Sequence, residues 1–230
     1  MSEKPAKPGT VADAEARAGS DAAQERVRAW WRLLPRVLTG PNDVFDALKE
    51  DDDTDVEARS EPILAIVILA GMAGILLTPA WGTLLDDESL DWLVISVVTF
   101  IGGLFYGTAG YFLLGVVVWA GARAVGFDVR GRAARQLVAF CTLPFALSLL
   151  VTLPVVAFAF GYDWFRTGGS DDGTGRALVL GVAAAFALWS LTLLALGLRR
   201  TFGLPWRAVA GALALAAVIV AAIGVVPTVF

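Results

Sequence analysis

Long apolar stretches alternate with short polar loops along most of this chain. An α-helix rises about 1.5 Å per residue, so roughly 20 apolar residues cross a hydrocarbon layer about 30 Å thick. The sequence offers five such stretches, at about 62–80, 93–122, 137–160, 177–198 and 208–228. Over residues 61–230 the pattern therefore predicts an all-α fold, a polytopic membrane bundle of five transmembrane helices.

Two of the stretches predict irregular helices. The second is longer than one upright helix needs, but no charge or proline interrupts it before Arg123, so we expect one long, tilted helix. The third contains Pro144 and Pro154, and a proline inside a helix removes a hydrogen bond and bends the axis. Kinked helices line cavities in some membrane proteins and only fit their neighbours in others, and the sequence leaves both interpretations open.

Positive charge is concentrated on alternate loops. Of the 18 Lys and Arg residues, nine lie in residues 1–60, four in loop 123–136 and three in the loop before the last stretch. Loop 81–92 has none. Because loops rich in Lys and Arg remain on the cytoplasmic side, we expect a cytoplasmic N-terminus, a C-terminus outside and a location in the cell membrane.

The residues ahead of the first stretch divide into two parts. Residues 1–24 are polar and charged and predict a disordered cytoplasmic tail. Residues 25–60 predict an amphipathic segment with a break at Pro35, either lying on anionic headgroups of the inner leaflet or packing against the helix ends. The candidate membrane-surface or partner-binding residues of this segment are Trp30, Trp31, Arg32, Arg36, Gly40, Pro41 and Phe45.

Small residues in the stretches predict close helix packing. Gly103 and Gly107 stand four residues apart on one helix face, with Gly110 further along. Ala70 and Gly74 repeat the spacing in the first stretch. These positions are candidates for packing within the chain or for a homodimer, and the sequence leaves both open.

The composition excludes most catalytic chemistry. The chain has no histidine and one cysteine, Cys141, and the five stretches contain no Asp, Glu, Lys or Arg. A proton relay needs intramembrane acids, bases or histidines, and a serine nucleophile needs a base to activate it. We therefore expect no enzyme activity, catalytic residues, cofactor or metal, and the cations form no stripe that would bind nucleic acid.

A family resemblance rests on three motifs and the five-stretch layout. The motifs are Arg36-Val37-Leu38-Thr39-Gly40-Pro41-Asn42-Asp43-Val44-Phe45, then Leu137-Val138-Ala139-Phe140-Cys141-Thr142-Leu143-Pro144 with Pro154, and Arg207-Ala208-Val209-Ala210. Over about residues 31–225 the chain resembles the YIP domain family, the Ypt/Rab-interacting membrane proteins and their prokaryotic relatives. The resemblance implies a five-helix bundle that works by protein and lipid contacts without catalysis.

The resemblance departs from the eukaryotic pattern at one motif. In eukaryotic members a cytosolic Asp-Leu-Tyr-Gly-Pro motif is associated with partner binding, and only Leu38, Gly40 and Pro41 match it here. We therefore expect a prokaryotic member. The sequence favours a scaffold that organises the bilayer or binds a membrane protein, and the alternative is a passive permease or channel for a small neutral solute.

Overall fold

The computed structural model describes residues 30–49, 60–78, 91–124, 126–169 and 173–229, and their secondary structure is helical. The predicted tail, residues 1–24, lies outside the described residues. The helices are α1 (residues 30–39), α2 (Pro41–Lys49), α3 (Ser60–Leu77), α4 (Trp92–Ala124), α5 (Gly131–Cys141), α6 (Leu143–Leu147), α7 (Leu149–Val155), α8 (Thr174–Phe202) and α9 (Trp206–Val229).

Three helical segments in the described ranges are long and apolar enough to cross a membrane: Trp92–Ala124, Gly131–Phe165 and Thr174–Phe202. The segment Gly131–Phe165 runs from α5 through α7 and beyond. The remaining apolar helices contribute shorter stretches, Glu61–Leu77 and Trp206–Leu215. The all-helical fold with membrane-spanning helices is thus confirmed, whereas the count of five spans stays a prediction.

Several helices extend past the apolar stretches from which they were predicted. Helix α5 begins at Gly131 rather than near residue 137, and α8 ends at Phe202 rather than near residue 198. The added turns carry arginines, whose long stems lie along apolar surface while their charged ends reach water. An apolar stretch ends where the chain leaves the hydrocarbon layer, whereas a helix ends where its backbone hydrogen bonds stop. The end of a helix therefore need not coincide with the end of an apolar stretch.

Glycines bring α3 and α4 together in antiparallel register. A Cβ added to Gly71 would fall on the carbonyl oxygen of Gly103 and would lie 2.6 Å from the backbone nitrogen of Gly107. A Cβ on Gly107 would fall on the carbonyl oxygen of Val67. Only residues without side chains permit this backbone approach. The face of Gly103 and Gly107 is therefore occupied by α3 of the same chain.

The segment Gly131–Phe165 is divided rather than continuous. Helix α5 ends before Thr142, α6 ends before Ser148, and a π-helical turn at Val156–Phe160 follows Pro154. Pro144 lies in the first turn of α6, where its missing N–H is tolerated. The segment ends in a 3₁₀ turn, Gly161–Phe165.

The apolar interior falls into two clusters near opposite ends of the bundle. The larger one, the front-end core, joins residues of α1 and α2 to the start of α3, to α5 and to the final turns of α8. The smaller one, the aromatic-end core, joins the last turns of α3 and the start of α4 to the end of the third spanning segment. The candidate site lies on the front-end core.

Candidate membrane-surface and partner-binding site

Residues 30–49, called the front segment below, consist of two helices joined at Gly40. Residues 30–39 are helical through Pro35, so the predicted break at that proline is wrong. The N–H of Gly40 donates to the carbonyl of Arg36 at 2.8 Å, and Pro41 begins α2, where a proline fits without losing a helical bond.

The inward face of the front segment belongs to the front-end core. Val37, Val44 and Phe45 have no exposed surface, and Leu48 is 7% exposed. The Trp30 ring packs against Phe140 of α5 with centroids 5.6 Å apart. Residues 30–49 therefore pack on the bundle, an arrangement that is compatible with contact between their outward face and the bilayer surface.

Phe45 fits a gap that a glycine creates in α8. A Cβ on Gly197 would lie 3.1 Å from the Phe45 ring and 2.6 Å from the Leu137 side chain. The Thr201 hydroxyl donates to the Phe45 carbonyl at 3.3 Å, which satisfies a backbone group near the end of α2. Gly197 is a packing position that sequence reasoning missed, because a lone glycine in an alanine-rich helix gives no signal.

An ion pair holds the rim of this contact. Arg200 donates from Nε and Nη2 to the two Asp46 carboxylate oxygens, each at 3.2 Å. The geometry is bidentate, but both side chains are about half exposed, so solvent screening leaves the pair only a small contribution to stability. Burial of Phe45 and Val44, not this ion pair, fixes the segment.

The outward face of the front segment is cationic and aromatic. Trp31 is 43% exposed, and Arg32 and Arg36 are also exposed. Gly40 and Pro41 are half-buried at the joint between the helices. The predicted site residues thus divide: Trp30 and Phe45 serve the core, whereas Trp31, Arg32 and Arg36 form the outward face of α1.

Positive charge is gathered at the same end of the bundle. Exposed cations lie on the front segment, at the end of α4, near the start of α5 and around the junction of α8 and α9. They are Arg32, Arg36, Lys49, Arg123, Arg130, Arg132, Arg199, Arg200 and Arg207. The exposed acids described there are Asp43, Asp46, Glu61 and Asp128. Among the residues that the structure describes, exposed cations therefore outnumber exposed acids at this end of the bundle.

The packing glycines differ in what surrounds them. Gly103 and Gly107 lie against α3, whereas Gly74 and Gly110 have open space where a side chain would stand. Ala70 is half-buried beside the front-end core. The small residue of α3 at the close contact is Gly71, one position from Ala70. Sequence reasoning missed it because α3 is apolar on every side, so no amphipathic direction fixes its rotation.

Buried hydroxyls near Pro144 bond to the protein. Ser190 of α8 accepts a hydrogen bond from the Phe145 N–H at 3.1 Å, where Pro144 disturbs the helical pattern. Ser148 donates to the Phe145 carbonyl at 2.6 Å. In the described ranges, no group of three His, Cys, Asp or Glu residues could hold a metal ion. These hydroxyls join helices.

Comparison with known sequences identifies the family. The family model described as Yip1 domain matches residues 36–226, which is most of the chain and includes both α2 and the spanning helices. Searches of curated proteins and of solved structures each return no match. The match begins at Arg36, inside the front segment, and continues nearly to the end of α9. With an all-helical fold and apolar spanning helices beside this match, the chain belongs to the Yip1 domain family of membrane proteins.

Proposed function

We propose that this chain is a non-catalytic integral membrane protein that acts as a scaffold, organising the membrane or binding protein partners. The observation that supports this role is the two-sided front segment. Its inward residues, Val37 and Phe45, are fully buried, so the segment is fixed to the bundle. Its outward residues remain free of the core. A rigid, exposed helix of this kind suits recognition, because little order is lost on binding.

The chemistry of the outward face indicates what it binds. Arg32 and Arg36 lie four residues apart on one side of α1, next to the exposed indole of Trp31. Arg and Trp are enriched among the residues that dominate binding energy at interfaces. A negatively charged surface fits this face, either on a membrane protein or on the headgroups of the inner leaflet.

We also infer that the chain spans the cell membrane five times, with the N-terminus inside and the C-terminus outside. The cations gathered at the front end support this orientation, because cationic segments remain in the cytoplasm. A reporter that is active only in the cytoplasm, fused after Phe230, is expected to stay silent. Activity of that fusion, with a fusion before the first span also active, would overturn the orientation.

Affinity purification from native membranes tests the scaffold. The full chain is crosslinked in the membrane, and its captured partners are compared with those of a variant carrying Trp31→Ala, Arg32→Glu and Arg36→Glu. Loss of a stoichiometric partner in that variant supports the proposal. Asn42→Ala, an exposed change on α2, is the matched control and should retain the partner. If wild type, the triple variant and Asn42→Ala captured the same partners, the outward face of α1 would not be a partner-binding surface.

The alternative function is a passive permease or channel for a small neutral solute. Its support is a partly open apolar groove of about 90 Å³ between α7 and α8, beside Pro154. Against it, the hydroxyls of Ser148 and Thr152 donate to backbone carbonyls of their own segment, so they are already bonded within the protein. Solute flux in proteoliposomes that is lost in Pro154→Ala would favour the permease over the scaffold.

A further inference from the structure

Arg135 occupies a groove between α4 and α5 whose surroundings are mainly apolar. It lies in the second turn of α5, inside the candidate span Gly131–Phe165. Its guanidinium carbon is 5.3 Å from the centroid of the Phe112 ring. Its stem crosses Gly115, where an added Cβ would lie 3.0 Å from the Arg135 Cα and would fall on Cγ. Gly115 thus makes room for the arginine.

The groove continues with the same chemistry toward the front end. Phe112, Gly115 and Trp119 share one face of α4, at spacings of three and four residues. Trp119 lies against the first turn of α5, since a Cβ on Gly131 would be 3.6 Å from its ring. The Arg123 guanidinium lies 5.2 Å from the Trp119 centroid. We call Phe112, Gly115, Trp119, Arg123, Arg132 and Arg135 the arginine groove.

The protein supplies no counter-charge from either wall of this groove. Helices α4 and α5 together contain three arginines, all of which belong to the groove. Neither helix contains Asp or Glu. The Arg135 Nε is buried and has no hydrogen-bond partner in the part of the chain that the structure describes. A buried N–H without a partner is unfavourable. The rest of this half-buried side chain reaches the surface, where it is accessible to an anion from outside the two helices.

The surface beside the groove suits an acyl chain. Phe105 is 70% exposed, and Phe112 and Val116 are each 49% exposed, all on α4. Phe105 lies two turns before Phe112 on the same face of α4, toward the middle of the bundle, whereas Val116 lies toward the front end. A planar guanidinium binds phosphate oxygens through two parallel hydrogen bonds, and basic pockets between membrane helices hold anionic headgroups. A phospholipid offers both the phosphate and the chain.

We propose that the arginine groove binds an anionic phospholipid of the membrane that the chain spans. Arg135 contacts the lipid phosphate, and Arg132, three residues earlier on the same side of α5, adds a second exposed cation. The acyl chains lie along Phe112 and Phe105, toward the middle of the bundle. This inference deepens the lipid half of the proposed function and rests on it, but it uses none of the residues of the α1 surface.

Native mass spectrometry of the full chain in detergent micelles tests the lipid site. The chain is titrated with phosphatidylglycerol and with phosphatidylcholine of the same acyl chains. Wild type is expected to bind phosphatidylglycerol about tenfold more tightly, and Arg135→Gln should lose most of that preference, the size expected for one charge-assisted contact. Arg166→Gln, at the opposite end of the same spanning segment, is the matched control and should retain it.

Two further measurements test the lipid site, one with a variant that keeps every charge and one with a competing anion. Gly115→Ala displaces the Arg135 stem without changing any charge, so it should lower the preference in a chain whose helicity by circular dichroism is unchanged. Inorganic phosphate at the same concentration as the lipid should leave phosphatidylglycerol bound, because it lacks the acyl chains.

Four results would overturn the site: equal binding of the two lipids by wild type, an undiminished preference in folded Arg135→Gln or Gly115→Ala, an equal loss in Arg166→Gln, or displacement by inorganic phosphate. If Arg135→Gln does not fold, the wild-type lipid comparison and Gly115→Ala decide. Partner capture by the α1 surface does not involve Arg135, so failure of either experiment leaves the other interpretable.

Discussion

The two ends of the bundle are closed by different means. At the front end, a segment that precedes the bundle buries aliphatic and phenyl side chains against α5 and α8. At the aromatic end, the spanning segments close the core themselves: the Trp164 indole donates to the Leu76 carbonyl at 2.9 Å, and the Arg176 guanidinium lies 5.2 Å from its ring. The proposed partner-binding surface lies where a segment is added, at the end where the described cations are gathered.

The largest effect on this comparison is expected from the front-end core. Phe45→Ala removes a fully buried ring from the gap beside Gly197, and it should lower the free energy of unfolding by about 3–5 kcal/mol. Unfolding of the detergent-solubilised chain by a denaturing detergent measures this. Asn42→Ala is the control on the same helix. A change no larger than that of the control would mean that the front segment is not part of the core.

The contact between α3 and α4 supports both ends and provides the next test. Gly107→Val places a branched side chain on the Val67 carbonyl, so it should destabilise the chain by about 1–3 kcal/mol or more. Gly110→Val, three residues along the same helix, meets open space and should change stability little. Equal effects of the two variants in the same unfolding assay would contradict the close approach of these helices.

The aromatic end should respond to loss of one hydrogen bond. Trp164→Phe keeps an aromatic ring but leaves the buried Leu76 carbonyl without its indole donor, at a cost of about 1–3 kcal/mol. Partner capture by the α1 surface should be unchanged, because Trp164 lies in the other core. If this variant lost partner capture while its folded fraction stayed as in wild type, the two ends would not be separate in function.

The smallest effect is expected at the exposed ion pair. Asp46→Asn removes the carboxylate charge that faces Arg200, and the loss of stability should be the smallest of the four variants and should shrink in high salt. Measuring unfolding at low and high salt checks both statements. A loss of several kcal/mol that does not depend on salt would mean that this ion pair, and not the burial of Phe45, holds the front segment on the bundle.

The sequence predicts the helices well because apolar length and charge are strong signals in a membrane chain. Hydrophobic stretches located the three candidate spanning segments to within several residues, and the family resemblance agrees with the later identification. The site was harder to predict. An all-apolar helix such as α3 has no amphipathic direction, so Gly71 could not be distinguished from Ala70. Arg135 was assigned to a loop because apolar stretches exclude the arginines that helices retain at their ends.

A thiol crosslink between α2 and α8 tests most directly the claim that the front segment is fixed to the front end of the bundle. Asp46→Cys and Arg200→Cys are combined with Cys141→Ala in the full chain, and crosslinking by a short bifunctional thiol reagent is measured in native membranes. The ion pair spans the distance between the two helices through the arginine stem, so a reagent of similar reach is expected to join the two cysteines in high yield. The pair Asn42→Cys with Arg200→Cys, one turn away, should form much less. Absence of the first crosslink, or equal yields from both pairs, would contradict a docked front segment.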